Sequence, residues 1–144
     1  MRIVEDTNIV FSAILNIDSN IAKLLILYSH KFEFYTCDFL KIEIAKHKDK
    51  ILKITGFTDN EFYEIEFLVT KNIHFFNHLL ISEEIMNETT DLIIKTDIYD
   101  VPFVALTKYL NASLWTGDKK LFKALNKNKF IKTISTEQLL INVL

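Results

Sequence analysis

The chain alternates between short apolar runs and longer segments in which apolar residues recur every three or four positions. Runs of strand length occupy residues 2–5, 33–36, 73–76, 112–116 and 131–134. Most of these runs are separated from the next by sequence that suits a helix, such as the segment that begins at residue 58. Strands connected by helices usually form a parallel sheet with right-handed crossovers, so the pattern predicts an α/β fold.

Helix starts can be read from the polar residues that cap them. Thr58 and Ser135 are each followed three positions later by Glu or Gln, which is a capping box, and Ser82 precedes two acids. Pro102 suits the first turn of a helix that begins at Asp100. Two helical stripes are expected to be buried in the core. The first comprises Ile21, Leu24, Leu25 and Tyr28, and the second comprises Phe39, Ile42, Ala45, Ile51 and Leu52.

The composition favours one domain over residues 1–144. Of the 144 residues, 49% are hydrophobic and twelve are Phe, which is enough to bury a sizeable core. Two glycines and one proline offer no flexible linker at which to divide the chain. Cys37 has no second cysteine to pair with, which fits a reducing compartment and a small buried side chain.

The apolar runs are all too short to span a membrane. The amino terminus leads directly into a short strand and an acidic pair, without a cationic flank and apolar signal segment. We therefore expect a soluble, cytoplasmic protein with no membrane partner.

Positive charge is concentrated near the carboxyl terminus, although the net charge is −2. Six lysines and no acid lie in one segment, at positions 119, 120, 123, 127, 129 and 132. Taken alone, such a run is more typical of a solvated helix face than of a binding site. Because it directly follows an acid at the end of an apolar run, contact with phosphate groups is the alternative interpretation.

Two acids follow predicted strands. Asp6 comes directly after the first strand, and Asp118 follows the run 112–116 by way of Gly117. Ligands of parallel sheets gather outside the carboxyl ends of the strands, so both carboxylates are expected at that edge. Each acid has an alternative role as the cap of the next helix, and for Asp6 with Thr7 and Asn8 alone capping is the commoner role.

Asp100 and Glu43 are the other candidate site residues. Asp100 begins the helix that contains Pro102, where the helix dipole favours negative charge, and capping is again the alternative. Glu43 lies within a helix between Ile42 and Ile44, a largely apolar setting in which a carboxylate is costly unless it is paired. The alternative for Glu43 is an exposed helical glutamate.

Convergence of these four carboxylates would imply a metal ion. Their repulsion would raise some of their pKa values and destabilise the fold unless a cation lay between them. Oxygen ligands suit Mg²⁺ or Mn²⁺, whereas the four histidines, at 30, 47, 74 and 78, follow no zinc-ligand spacing. His47 is four residues after Glu43 and is able to share its helix face, but a surface position is commoner.

The chain resembles the PIN (PilT N-terminus) domain nucleases over nearly its whole length. The four matching segments are 3–8 (IVEDTN), 40–44 (LKIEI, containing Glu43), 97–106 (DIYDVPFVAL) and 114–121 (LWTGDKKL). The last two are the most specific, and the order, spacing and predicted context of all four agree. Glu5 and Asp97 are additional acids beside these motifs, which either join the site or face solvent.

The resemblance implies a three-layer α/β/α sandwich with a central, mainly parallel twisted sheet, and a Mg²⁺- or Mn²⁺-dependent endoribonuclease similar to VapC-like toxins. A small antitoxin and a second copy of the chain are the partners that the resemblance favours. The acids at the metal-binding and catalytic positions are Asp6, Glu43, Asp100 and Asp118. The supporting positions, which would orient acids or water, are Thr7, Asn8 and Thr116, with Asp97 as an addition.

Single-stranded RNA is the expected substrate, hydrolysed without a covalent enzyme intermediate. Lys119 and Lys120 are candidates for binding its phosphates. Tyr99 and Trp115 are candidates for stacking on bases, but a buried role is the commoner one for Trp115 because it lies in a predicted strand.

Two other functions fit parts of the sequence. A signalling receiver domain also has an acidic pair after its first strand, but it needs a phosphorylatable aspartate after a middle strand, whereas Asp118 opens a late helix. A PIN fold that binds RNA or protein without catalysis would normally have lost one or more of the four acids. All four are present, which favours an enzyme.

Overall fold

The computed structural model describes residues 1–144, and strands and helices alternate along the chain. The strands are β1 (Arg2–Glu5), β2 (Glu33–Cys37), β3 (Ile73–Phe76), β4 (Ser113–Trp115) and β5 (Lys132–Ile134). The α-helices are α1 (Thr7–Leu15), α2 (Asn20–Ile26), α3 (Phe39–Thr55), α4 (Asp59–Thr70), α5 (Glu83–Ile93), α6 (Val101–Leu110), α7 (Lys119–Asn128) and α8 (Thr136–Val143). Short 3₁₀ helices occupy Ser29–Lys31, His78–Leu80 and Ile98–Asp100. Each predicted strand is present, with ends shifted by at most one residue.

The helix starts expected from the sequence are confirmed by their hydrogen bonds. Thr58 forms a capping box with Glu61, and Ser135 forms one with Gln138. The Ser82 hydroxyl accepts a hydrogen bond from a backbone N–H in the first turn of α5. Because capping depends on residues that are close in sequence, these features can be read without knowledge of the tertiary structure.

The five strands form one parallel sheet in the order β3-β2-β1-β4-β5. The chain moves from β1 through β2 to β3 in one direction and then crosses back, so that β4 and β5 lie on the other side of β1. A sheet of this kind opens a crevice at the carboxyl ends of the strands where the order reverses. That point lies between β1 and β4.

Helices cover both faces of the sheet, so the expected three-layer α/β/α fold is confirmed. One layer contains α1 to α4 and α8, which contact one another. The other contains α5 and α6, with α7 beside β5. Helix α6 crosses the centre of its face, against β1, β2 and β4. Since a helix that leads into a parallel strand runs opposite to it, α6 begins at the carboxyl edge of the sheet.

A continuous hydrophobic core of 32 buried residues surrounds the sheet. Trp115 of β4 and Phe34 of β2 stack across this core with their ring centroids 6.0 Å apart. The Trp115 indole N–H also donates a hydrogen bond of 3.0 Å to the Thr136 hydroxyl of α8. The expected burial of Trp115 and of Cys37 is confirmed. No single helix is both long and apolar enough to cross a membrane, although α1 and α2 together, bent by 103°, have the required length and composition.

The expected core stripe of α3 is wrong at two positions. Ile42 is 56% exposed and Ala45 is also exposed. The helix instead packs through Leu40, Ile44 and Ile51. Ile42 lies two positions from Leu40 and from Ile44, and a helix turns about 200° over two residues, which directs Ile42 away from the core.

Candidate active site

Asp6 lies where β1 ends and α1 begins, at the point where the strand order reverses. Its side chain is almost fully buried. One carboxylate oxygen, Oδ1, accepts a hydrogen bond of 3.1 Å from the Ile9 N–H and caps α1. The other, Oδ2, is buried and has no hydrogen-bond partner. Capping of α1 therefore uses only Oδ1 of this carboxylate. Oδ2 stays without a partner beside the crevice.

Asp118 caps α7, the helix that follows the neighbouring strand β4. Thr116 lies between Asp118 and Asp6. The Asp118 carboxylate accepts hydrogen bonds from the N–H groups of Lys120 and Leu121, at 3.0 and 3.1 Å. The buried Thr116 hydroxyl accepts the Asp118 N–H at 3.1 Å. The supporting role of Thr116 stays a prediction, and this contact is the one that it makes with Asp118.

The charge of Asp118 acts on Asp6 across this point. Burial raises the pKa of Asp6, and the negative charge of Asp118 raises it further. The Thr116 hydroxyl, although outside hydrogen-bond geometry, and the N–H groups of Ile9 and Asn8 act in the opposite direction. The two strand ends therefore deliver carboxylates to one place, as the sequence predicted.

Asp100 provides the third carboxylate from the opposite helical layer. It immediately precedes α6 in the αR conformation and makes no side-chain capping bond, so the capping alternative is wrong for this residue. Burial raises the pKa of Asp100 to about 7, and the charges of Asp6, Asp97 and Asp118 contribute to the rise. Because α6 begins at the carboxyl edge of the sheet, Asp100 lies at the same edge as Asp6 and Asp118.

Asp97 and Tyr99 surround Asp100 but face solvent. Asp97 accepts a hydrogen bond of 2.9 Å from the Tyr99 N–H and so caps the short 3₁₀ helix. Tyr99 is 74% exposed. Asp97 thus has a local structural role, and its charge also acts on Asp100. The exposed ring of Tyr99 is free to contact a ligand.

Glu43 is half-buried on α3, near the carboxyl end of β2, and is not among the charges that raise the pKa of Asp100 or Asp6. Its nearest ionic partner is His47, whose Nδ1 lies 4.0 Å from the Glu43 carboxylate and 2.9 Å from the Glu43 carbonyl oxygen. The His47 ring packs against Phe11 of α1. Asp6, Asp100 and Asp118 therefore lie at one edge of the sheet, and Glu43 lies on α3 with His47 as its ionic partner.

The remaining predicted site residues lie at the same edge, but their side chains form few contacts within the protein. Asn8 acts on Asp6 through its backbone N–H, and the side chains of Thr7 and Asn8 form no hydrogen bond within the protein. Lys119 and Lys120 are exposed on the first turn of α7, next to Asp118, and neither forms an ion pair. Both ammonium groups are available to a phosphate.

Glu5 is a buried acid that the sequence did not locate. It lies at the end of β1, fully buried, with both carboxylate oxygens unpaired. Its register partner on β4 is Trp115, which places both side chains on the same face of the sheet, and its carbonyl oxygen accepts the Thr36 hydroxyl at 3.1 Å. Burial raises the pKa of Glu5 well above its usual value, and the charge of Asp6 adds to the effect. Glu5 therefore does not face solvent.

Replacing Glu5 with methionine is expected to stabilise the metal-free protein at neutral pH. The unfolded chain loses the Glu5 proton above about pH 4.5 while the folded protein keeps it, so stability falls as pH rises. The advantage of Glu5→Met should therefore grow between about pH 5 and about pH 7, by up to about 1.4 kcal/mol per pH unit. Urea unfolding in a chelator at both pH values measures it.

The matched control for this prediction is Glu64→Met, which changes an exposed glutamate of α4. This substitution should shift the free energy of unfolding equally at both pH values. If Glu5→Met also shifts the free energy of unfolding equally at both pH values, Glu5 does not take up a proton when the chain folds.

A second polar cluster also occupies the carboxyl edge, at the ends of β2 and β3. The His78 Nδ1 lies 2.9 Å from Asp38 Oδ1, and the buried Cys37 thiol donates to the same oxygen at 3.3 Å. Burial works to raise the pKa of Asp38, but the hydrogen bonds from His78 and Cys37 outweigh it and the pKa is lowered. Burial raises the pKa of the Cys37 thiol to about 12, so the thiol stays protonated. The cluster ties β2 to β3.

The donor set at the edge fits a hard divalent cation. No three or more His, Cys, Asp or Glu side chains are arranged closely enough to enclose a metal ion as they stand. Two features still favour one: the buried, unpaired Oδ2 of Asp6, and the pKa of Asp100, which burial raises to about 7 with a further contribution from the neighbouring acids. A cation would relieve both, and carboxylate oxygens suit Mg²⁺ or Mn²⁺.

Comparison with known proteins identifies a family and a similar fold. The sequence model of a family described as PIN domain matches residues 4–139. Among solved structures, the chain is similar to one described as the crystal structure of VapBC2 from Rickettsia felis bound to a DNA fragment from their promoter. The match has a TM-score of 0.73 and 13% sequence identity, and covers 94% of this chain and 98% of that chain. At this identity the likeness is one of fold. The comparison with curated proteins gives no match.

Proposed function

This chain belongs to the PIN domain family, whose members are generally nucleases, and we propose that it is an endoribonuclease that hydrolyses single-stranded RNA with Mg²⁺ or Mn²⁺. The observation that carries the proposal is the meeting of Asp6, Asp100 and Asp118 at the point where the strand order reverses. Burial raises the pKa of Asp6 and of Asp100, and carboxylates perturbed in this way are typical of functional sites.

Each acid has a role that follows from its surroundings. Asp6 and Asp118 are held by hydrogen bonds at helix starts, so each is fixed in orientation and suited to bind a cation. Asp100 has no such bond and is the carboxylate most able to adjust. Glu43 would act from the α3 wall, as a ligand or as a positioner of water.

When bound, a divalent ion would activate water and stabilise the charge on the attacking and leaving oxygens of the phosphodiester. The protein's own part is to position the substrate. Lys119 and Lys120, exposed beside Asp118, would bind phosphates next to the scissile bond, and the exposed Tyr99 would stack on a base. Trp115 is fully buried and is excluded from stacking.

We further propose that the protein is the toxin of a toxin–antitoxin pair in the cytoplasm, inhibited by a small antitoxin, and that it forms a homodimer. The family resemblance and the likeness in fold to VapBC2 support this assignment. Several large apolar side chains are exposed, among them Leu79, Leu80, Ile94 and Ile98, and partners of this kind would cover them.

The nuclease proposal is tested by incubating the purified protein with labelled single-stranded RNA of about 20 nucleotides. We expect cleavage in Mg²⁺ or Mn²⁺, loss of cleavage in excess EDTA, and recovery when the ion is added back, because the acids need a cation to act together. Gel analysis of the products measures the activity, and DNA of the same sequence is the control substrate.

Two outcomes would contradict the proposal. Cleavage that persists in EDTA would indicate a metal-independent ribonuclease, including a contaminating one. Absence of cleavage with both ions, in a protein that still binds RNA or a protein partner, would favour the alternative of a non-catalytic PIN fold.

A further inference from the structure

A basic cleft lies at the edge of the sheet opposite the carboxylates. It has a volume of about 650 Å³ and is lined by the end of α6, the end of α7 and the start of β5. We call it the amino-edge cleft. Its polar and charged lining residues are Lys108, Asn111, Asn126, Lys129, Lys132 and Thr133, with Thr107 at the back. The lining contains three lysines and no acid.

The cationic groups of this cleft are not neutralised within the protein. Lys129 and Lys132 are exposed and form no ion pair. The Lys108 ammonium lies 4.9 Å from the Phe130 ring centroid and 3.4 Å from the Phe130 carbonyl oxygen, neither of which cancels its charge. The Asn126 side-chain oxygen accepts the Thr133 hydroxyl at 2.7 Å, which leaves the Asn126 amide N–H groups as free donors. The cleft therefore offers unneutralised positive charge together with the N–H donors of Asn126, and no negative charge.

A row of lysines on α7 connects this cleft to the carboxylate edge. Lys119, Lys123 and Lys127 are all exposed and are spaced four residues apart, which places them on one line along the helix. The buried side of the same helix is formed by Leu121 and Leu125. Since α7 starts at Asp118 and ends next to Lys129, the row runs from the acids to the cleft.

The distance fits a polynucleotide better than a small anion. A helix of ten residues is about 15 Å long. A stacked nucleic-acid strand advances about 3.4 Å per nucleotide, so α7 spans roughly four or five of them. Like charges four residues apart on a helix destabilise it, and this chain places no acid among them between residues 119 and 132. Repeated phosphates along a strand would relieve that repulsion along the whole row.

We propose that the amino-edge cleft is a second binding site for the RNA substrate, and that it holds phosphates four or more nucleotides away from the scissile bond. The row Lys119, Lys123 and Lys127 guides the strand between the two sites. The inference rests on the proposed ribonuclease function. It predicts that affinity depends on RNA length, whereas catalysis depends on the carboxylate edge alone.

The test uses a triple variant, Lys108→Gln, Lys129→Asn and Lys132→Gln, in the full-length protein. Asparagine is chosen at 129 because this residue has a φ of 54°, a left-handed conformation that asparagine tolerates well. Binding of fluorescein-labelled single-stranded RNA of about 20 nucleotides is measured by anisotropy in EDTA, where no cleavage occurs. We expect about tenfold weaker binding near 0.1 M salt, and a slope of log K against log salt that is reduced by roughly 2, or about 0.7 per lost contact.

A second variant with the same change in charge controls for general electrostatics. Lys23→Gln, Lys31→Gln and Lys95→Gln remove three lysines that lie outside α7 and the cleft, and this variant should bind the long RNA as the unmodified protein does. An RNA of about four nucleotides is too short to reach the cleft from the acids, so in Mn²⁺ the cleft variant should cleave it at the normal rate. Circular dichroism melting verifies that both variants are folded.

The outcomes separate this inference from the nuclease proposal. Equal weakening by the two triple variants, or no weakening by either, overturns the cleft as an RNA site. If RNA binding is unchanged while a poly-glutamate peptide loses affinity in the cleft variant, the cleft binds an acidic protein segment and the inference is wrong. Weaker binding confined to the cleft variant supports it, and does so even if no RNA is cleaved, in which case only the nuclease proposal fails.

Discussion

Replacing Asp6 with asparagine is expected to reduce RNA cleavage by about 10²- to 10³-fold, which corresponds to several kcal/mol of lost transition-state stabilisation. The Oδ2 of Asp6 is buried and has no hydrogen-bond partner, and we propose it as a metal ligand. Asparagine keeps an oxygen that can cap α1 as Oδ1 does, so the fold should be retained. Initial rates of cleavage at saturating Mn²⁺ measure the loss.

The same substitution should reduce activity but increase the stability of the metal-free protein. In EDTA, Asp6→Asn removes one of the charges that raise the pKa of Asp100, and the melting temperature should rise. Mn²⁺ should raise the melting temperature of the unmodified protein but have little effect on the variant, because an ion that binds only the folded state stabilises it. This readout does not depend on activity.

Asp49→Asn is the matched control, because Asp49 is an exposed aspartate on α3 that forms no ion pair. Activity, melting temperature and the response to Mn²⁺ should all be unchanged in this variant. Full activity of a folded Asp6→Asn protein would exclude Asp6 from the reaction. A response to Mn²⁺ equal to that of the unmodified protein would place the cation elsewhere.

Replacing Trp115 with alanine is expected to destabilise the protein by about 3–5 kcal/mol. Trp115 is fully buried in β4, stacks on Phe34 and donates a hydrogen bond to Thr136 of α8. The substitution leaves a large cavity between the sheet and α8, and it removes the hydrogen bond to the Thr136 hydroxyl. Since small domains have only about 5–15 kcal/mol of stability, much of it would be lost. Urea unfolding followed by circular dichroism gives the change.

Two further variants keep this prediction testable. Trp115→Phe retains most of the apolar volume and should cost less than the alanine change, which gives a value even if Trp115→Ala does not fold. Phe67→Ala removes an aromatic ring that is 66% exposed on α4 and should change stability little. Equal losses for Phe67→Ala and Trp115→Ala would contradict the packing described for β4.

Much of the fold could be predicted because its signals are local. The apolar runs marked all five strands, and the capping residues Thr58, Ser82 and Ser135 marked three helix starts. The alternation of strands and helices is enough to favour a parallel sheet, since each crossover needs a helix. The misplaced residues of α3, Ile42 and Ala45, show the limit of this approach, because an apolar residue does not itself indicate which side of a helix meets the core.

The sequence could predict a site residue when its place at the end of a strand or the start of a helix also fixes where it lies in the fold. Asp6 and Asp118 follow strands that lie next to each other, so their meeting follows from the topology. Asp100 was expected to begin a helix, but its freedom from capping depends on a backbone conformation that the sequence does not reveal. Glu43 was identified by resemblance, and its contact with His47 follows from helical spacing.

By itself, the sequence determined the α/β alternation, the helix starts and the acids at the ends of β1 and β4, because these depend on neighbouring residues and on the period of each element. Only the tertiary structure decided three other features. It buried Glu5 without a partner, joined Asp38 to His78 across forty residues, and divided one run of lysines between two opposite edges of the sheet. Burial, pairing and charge placement arise from contacts between segments distant in sequence, and the order of strands in space sets those contacts.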